Sequence, residues 1–240
     1  MKYRKKSSRS ASGRKYTGHT SSSAKRSRRR SGSRCRPGKN PWFRYLVLLV
    51  VAVICVTGIS TCAGKRREAA RQQQSEDDRP AMDVDLLTVN PYSRPGIQLK
   101  KVKGIVVHYT ANPGSTAKQN RDYFEGLKDS HATKASAHFV IGLDGEIVQC
   151  IPTSEMAYAS NNRNSDTIAI ECCHPDADGK FTKETYDSLV DLTAWLCRKF
   201  GLTADDVIRH YDVTGKLCPL YFVKHEDAWK QFKKDVDAAI

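Results

Sequence analysis

An uncharged stretch, Leu46 to Ala63, lies between Arg44 and the run Lys65-Arg66-Arg67, and it constrains this chain more than any other feature. Its 18 residues, at about 1.5 Å per residue, give a helix of roughly 27 Å, close to the hydrocarbon thickness of a bilayer. Trp42, Phe43 and Tyr45 gather at its start, where an interfacial aromatic belt belongs. Sixteen Lys and Arg and no Asp or Glu precede the stretch, against three basic residues directly after it. That bias predicts a single pass through the cytoplasmic membrane, with the N-terminus inside and the following domain outside. A cleaved secretory signal is the competing reading. Its positive region would be unusually long, and Ser60-Thr61-Cys62-Ala63 is a poor cleavage site, so an uncleaved anchor over residues 45–63 is expected.

The charge sorts with this division. The chain carries 40 basic and 26 acidic residues, a net charge of +14, and residues 1–44 hold 16 of the basic ones. The remainder is nearly neutral, so the overall basicity does not predict a nucleic-acid surface on the folded part. The tail is Ser-, Gly-, Lys- and Arg-rich with almost no aliphatic residues. It cannot bury enough apolar area to offset its ordering entropy and is predicted to be a disordered cytoplasmic tail, with anionic lipid headgroups as its expected contact. Residues 64–90 are polar and charged and read as an extracytoplasmic linker. The turn-rich Asn90-Pro91-Tyr92-Ser93-Arg94-Pro95-Gly96 marks the threshold of one domain over residues 91–240.

Within that domain strand and helix patterns alternate. Strands are expected at Gly104–His108, His138–Gly142, Ile147–Ile151, Thr167–Glu171 and Val207–His210. Leu143-Asp144-Gly145-Glu146 is a hairpin signal between the second and third. Helices are expected to begin near Thr116, Thr182 and His225. The second carries Tyr186, Leu189, Val190, Thr193, Leu196, Cys197 and Phe200 at helical spacing before Gly201 stops it; the third carries Trp229, Phe232, Val236 and Ile240. Such stripes are core faces. The sum is an α/β domain with a single mixed sheet covered by helices.

Two short motifs carry chemistry. His108 closes the apolar run Gly104-Ile105-Val106-Val107, and His210 follows Val207-Ile208-Arg209, with Cys218 eight residues later beyond a Gly-containing turn. Two imidazoles and one thiolate suit zinc, and three protein ligands leave a fourth position for water. Taken singly, each is as well read as an ordinary core or loop residue.

Four blocks taken together carry a family resemblance. They are His108 in its strand, Ser136-Ala137-His138-Phe139-Val140-Ile141 with Asp144-Gly145, Ile168-Ala169-Ile170-Glu171, and Arg209-His210-Tyr211-Asp212-Val213-Thr214-Gly215-Lys216 with Cys218-Pro219. In this order they resemble the zinc-dependent N-acetylmuramoyl-L-alanine amidases of the type 2 group, relatives of phage endolysins and peptidoglycan recognition proteins. The resemblance implies Zn2+ held by His108, His210 and Cys218, with Glu171 as general base and Lys216 stabilising charge on the substrate carbonyl. It implies peptidoglycan or a muropeptide as partner and cleavage between N-acetylmuramic acid and L-alanine. Its alternative is a recognition module that binds muropeptides without cutting them. One departure is Ala137, which stands where some relatives place a catalytic Tyr. His138 is expected to be structural, since a fourth protein ligand would close the metal to water. His131 and His174 read as loop residues, and Asn161-Asn162-Arg163-Asn164 as a polar loop able to line the groove.

Besides Cys218, the outer domain has Cys150, Cys172, Cys173 and Cys197. An oxidising exterior allows disulfides among them, and buried thiols are equally consistent with the sequence. Cys172 and Cys173 are neighbours in a strand, so they face opposite ways and should not pair with each other.

Overall fold

The structure, a computed structural model, describes residues 78–240 continuously and scattered positions between Trp42 and Gln73. Contacts divide the chain into two units, Met1–Val53 and Ile54–Ile240. In the first, the described positions Trp42, Tyr45, Leu46, Leu48, Leu49 and Val50 are helical and exposed. Among the described residues no helix is long and apolar enough to cross a membrane. The basic tail and most of the span expected over Leu46 to Ala63 lie outside the described residues.

The second unit is built on one six-stranded mixed sheet, in the order β1-β4-β3-β5-β2-β6. β2 (Gly104–Tyr109) lies between β5 (Thr167–Cys172) and β6 (Val207–Arg209), parallel to both. β3 (Phe139–Ile141) runs parallel to β5 on its other side, and β4 (Ile147–Gln149) folds back antiparallel on β3. β1 (Asp83–Val84) adds a short parallel edge to β4. The linker expected to reach residue 90 therefore gives way earlier: Asp83 and Val84 join the sheet, and Leu87 is buried on it. A polar composition hid this, because both strand residues are exposed and only their backbone is used.

Central strands with helices on both faces need apolar residues in both phases, and GIVVHY and TIAIEC supply them. Ile105, Val107, Phe139, Ile168, Ile170 and Cys172 pack on one face under α2 (Lys183–Phe200) and α5 (Glu226–Ala239). Val140, Val148, Cys150, Ala169 and Cys173 pack on the other with Phe124 and Leu127 of α1 (Ala117–Ser130). Cys172 and Cys173 thus belong to different core layers, and the five cysteines of the domain are free thiols. α3 (His210–Thr214) and α4 (Leu220–Lys224) are short helices within the stretch from β6 to α5. A ring cluster of Phe222, Trp229 and Phe232, with centroids 5.4–5.5 Å apart, ties α4 to α5.

Helix ends follow the expected chemistry. Thr116 caps α1 in a reciprocal capping box with Gln119, and Thr182 caps α2 by accepting from the Thr185 N–H. Gly201 ends α2 in the left-handed conformation, φ 68°. The stripe of α5 differs at its end. Trp229, Phe232 and Val236 are buried, whereas Ile240 is the C-cap of the helix and is exposed. Gly145 in the β3–β4 hairpin has φ 82°, and a Cβ there would lie 2.8 Å from both the Glu184 carbonyl and Ser188 Oγ. Only glycine lets the hairpin press so closely on the first turn of α2.

α1 packs chiefly on the β3–β4 half of its face, beside the β5–β2–β6 half. That half is closed instead by α3 and the 3-10 turn Asn161–Arg163. The carboxyl ends of three parallel strands consequently lie beside α3 and this turn, the usual position for a site in an α/β sheet.

Candidate metal centre

Strand register brings the first two groups together. His108 on β2 is directly paired with Glu171 on β5, so both side chains leave the sheet on one face. His210 is the first residue after β6, the other neighbour of β2, and its ring centroid lies 4.6 Å from that of His108. The turn carrying His210 is fixed by Arg209. Its backbone N–H donates to Asp212 Oδ2 at 2.8 Å, and its guanidinium bonds Asp212, Glu226 and the Phe222 carbonyl. After Gly215 (φ 77°) the chain doubles back, and the Tyr211 N–H donates to the Cys218 carbonyl at 2.8 Å. Cys218 Sγ ends 3.8 Å from His108 Nδ1.

His108, His210 and Cys218 are all buried, and one donor atom from each lies within 4.8 Å of the others. Glu171 Oε1 is 3.9 Å from His108 Nδ1, and Glu171 Oε2 is buried with no hydrogen-bond partner. Lys216 stands exposed on the rim. The five residues singled out in the sequence are thus assembled at one place.

Burial dominates the electrostatics. It pushes the Glu171 carboxyl up to about 8, with the Lys216 charge pulling the other way. It pushes the Cys218 thiol up to about 12, reinforced by Glu171 and opposed by the Tyr109 backbone N–H and by Lys216. His108 is held well below the usual imidazole value by burial, then by the charges of His210 and Lys216. His210 is lowered by burial and then by Lys216. Both rings are therefore neutral and present lone pairs. A divalent cation fits this donor set: it would favour the thiolate of Cys218 and compensate the unpartnered carboxylate oxygen of Glu171.

The remaining imidazoles have other duties. His138 is fully buried: its Nδ1 accepts from the Ala169 N–H at 3.0 Å and its Nε2 donates to the Glu155 carbonyl at 2.8 Å. It ties β3, β5 and the 152–155 turn together and is structural, as expected. His131 is the left-handed C-cap of α1, stacked on Tyr92, and His174 is buried against Tyr109 with Nδ1 bonded to the Asp176 carbonyl. Ala137 is buried in the core and offers no hydroxyl.

The polar loop is where the sequence reading fell short. His108 Nε2 is 3.1 Å from Ser160 Oγ, and His210 Nε2 is 3.1 Å from Asn161 Oδ1. Asn161 touches a metal-site histidine directly, and Ser160, buried at 1 % exposure, went unnoticed. A lone serine beside a run of asparagines carries no sequence signal for such a role.

Two imidazoles, a thiol and a half-buried carboxylate near the carboxyl ends of parallel strands define the class: an α/β domain with a metal-binding group of the kind that activates water. Comparison with known proteins narrows it. Residues 98–220 match the family model described as N-acetylmuramoyl-L-alanine amidase, and the chain belongs to that family. It is 38% identical over 169 residues to the N-acetylmuramoyl-L-alanine amidase CwlL of Bacillus licheniformis, covering 65% of this chain and 46% of that one. It is 36% identical over 173 residues to the N-acetylmuramoyl-L-alanine amidase BlyA of Bacillus subtilis (strain 168), covering 63% of this chain and 46% of the relative. The match thus spans less than half the length of these curated relatives. Among solved structures, the catalytic domain of XlyA superposes with a TM-score of 0.55 at 29% identity, covering 65% of this chain and 99% of that domain.

Proposed function

We propose that this chain is a zinc-dependent peptidoglycan hydrolase that cleaves the amide bond between N-acetylmuramic acid and L-alanine of the stem peptide. The observation that carries this is the convergence of His108, His210 and Cys218 donor atoms within 4.8 Å beside the Glu171 carboxylate. The names of the relatives supply the substrate class.

An amide resists hydrolysis at neutral pH, so the site must activate water and stabilise a tetrahedral oxyanion. Zinc bound by these three residues would supply Lewis acidity and lower the pKa of a coordinated water to about 7. Glu171 accepts a proton from the attacking water as its oxygen bonds the lactyl carbonyl carbon. The same carboxyl then returns the proton to the alanine nitrogen as the C–N bond breaks, leaving a lactyl carboxylate and a free amine. The ammonium of Lys216 stabilises the negative charge growing on the carbonyl oxygen. An anchor over Leu46 to Ala63, with the basic tail inside on anionic lipid, would hold the domain over the outer membrane face within reach of the wall.

The test is to incubate the zinc-loaded chain with purified peptidoglycan and count new amino groups against new reducing ends. New amines without new reducing ends, abolished by a chelator and restored by zinc, are the expected result. Muropeptide binding without new amines would replace this reading with that of a recognition module. The anchor is tested separately, by whether alkaline carbonate strips the chain from membranes.

A further inference from the structure

We propose that Ser160 and Asn161 are positioning residues for the metal: adjacent in one loop, they select the tautomer of both histidine ligands at once. This rests on the metal reading of His108, His210 and Cys218.

Asn161 Oδ1 can only accept, so the hydrogen in its 3.1 Å contact is carried by His210 Nε2. Nδ1 is then the nitrogen of His210 that keeps a lone pair. The same division holds at His108. Its Nδ1 faces Cys218 Sγ at 3.8 Å and Glu171 at 3.9 Å, while Nε2 points away to Ser160 Oγ at 3.1 Å. An Nε2–H donated to Ser160 leaves Nδ1 free on the side where the other donors converge. An imidazole ligand needs its outer N–H held so that the ring keeps one tautomer and one orientation. Here neither partner is a carboxylate, so the rings are oriented without added negative charge.

The loop is built to present these two acceptors. Asn161 sits at φ 52°, a left-handed conformation that Asn tolerates better than most side chains. Asn164 Oδ1 accepts from the backbone N–H groups of Ala159 and Ser160, at 3.0 and 2.5 Å. The Tyr158 N–H donates to Ser136 Oγ at 2.9 Å, beside β3. Ser160 is itself almost fully buried, so its hydroxyl is not a solvated surface group.

The experiment uses the full-length chain in detergent and measures Zn2+ affinity by competition with a chromophoric chelator. It is paired with long-range 15N–1H correlation of the histidine rings in the metal-free state. Ser160→Ala removes one acceptor, and Asn161→Gly removes the other while keeping the left-handed backbone accessible. Asn161→Asp restores an acceptor. The expected result is a loss of roughly 10–100-fold in affinity for each deletion. It is accompanied by loss of the single Nε2–H tautomer at His108 in the first and at His210 in the second, with affinity and tautomer recovered in Asn161→Asp. Metal-free thermal melts that match the wild type exclude a folding defect as the cause. Deletions that bind zinc within twofold of the wild type, with the Nε2–H signals unchanged, overturn the proposal alone. A wild-type chain that takes up no stoichiometric zinc overturns the metal reading and the proposal with it.

Discussion

Acid should weaken this fold through one histidine in particular, and the size of the effect can be worked out. His138 is neutral and enclosed, and burial lowers its pKa from 6.5 to about 4. The unfolded chain binds a proton at this position as the pH falls below 6.5, while the native state refuses it until about 4. The contribution to stability is therefore fully present above pH 6.5 and lost as pH falls towards 4. Between pH 7.5 and 4.5 the loss is about 2.5 kcal/mol. Replacing His138 with Gln removes the titration but disrupts one of the two bonds to Ala169 and Glu155, at about 1–3 kcal/mol. Urea unfolding followed by the fluorescence of buried Trp195 and Trp229 reads both terms. His138→Gln should be clearly less stable than the wild type at pH 7.5 and close to it, or more stable, at pH 4.5. Titrations of the other histidines are common to both chains and cancel. A stability difference that stays constant across this range would refute the assignment of a buried neutral His138.

Other outcomes test the site and the core. Glu171→Gln should lower amidase turnover by about 10²–10⁴-fold while stoichiometric zinc binding is kept, measured as amine release against metal content. Leu189→Ala, at a fully buried position of α2, should cost about 2–5 kcal/mol in urea unfolding. Burial pushes the thiols of Cys150 and Cys197 up to about 12, so at pH 8 a thiol reagent should label them only after denaturant is added.

The site was legible where chemistry is written into residue type and neighbourhood. His108 at the end of an apolar run, His210 after another and Cys218 beyond a glycine turn each sit at the edge of an element whose period could be read directly. The core stripe of α2 was visible for the same reason. What escaped was set by partners remote in the chain. β1 is two exposed residues that join the sheet only through backbone pairing with β4, and Ile240, past the last helical residue, is exposed. Ser160 gave no local hint and Asn161 was legible only as part of a polar loop, since their importance lies in rings that arrive from β2 and α3.

The donor types, the alternation of strands and helices, the helix starts at Thr116 and Thr182, and the separation of a basic tail from a nearly neutral domain could all be read along the chain. These are consequences of side-chain chemistry and short-range periodicity. That His108 and Cys218, 110 residues apart, lie side by side is the product of long-range packing. The folded chain alone set the parallel register of His108 with Glu171 and the packing that encloses Glu171 Oε2 and raises its carboxyl to about 8. It alone decided which nitrogen of His108 faces Cys218 and Glu171. Proton affinity and ligand geometry depend on what surrounds a group in three dimensions, and long-range packing of the sheet supplies those surroundings.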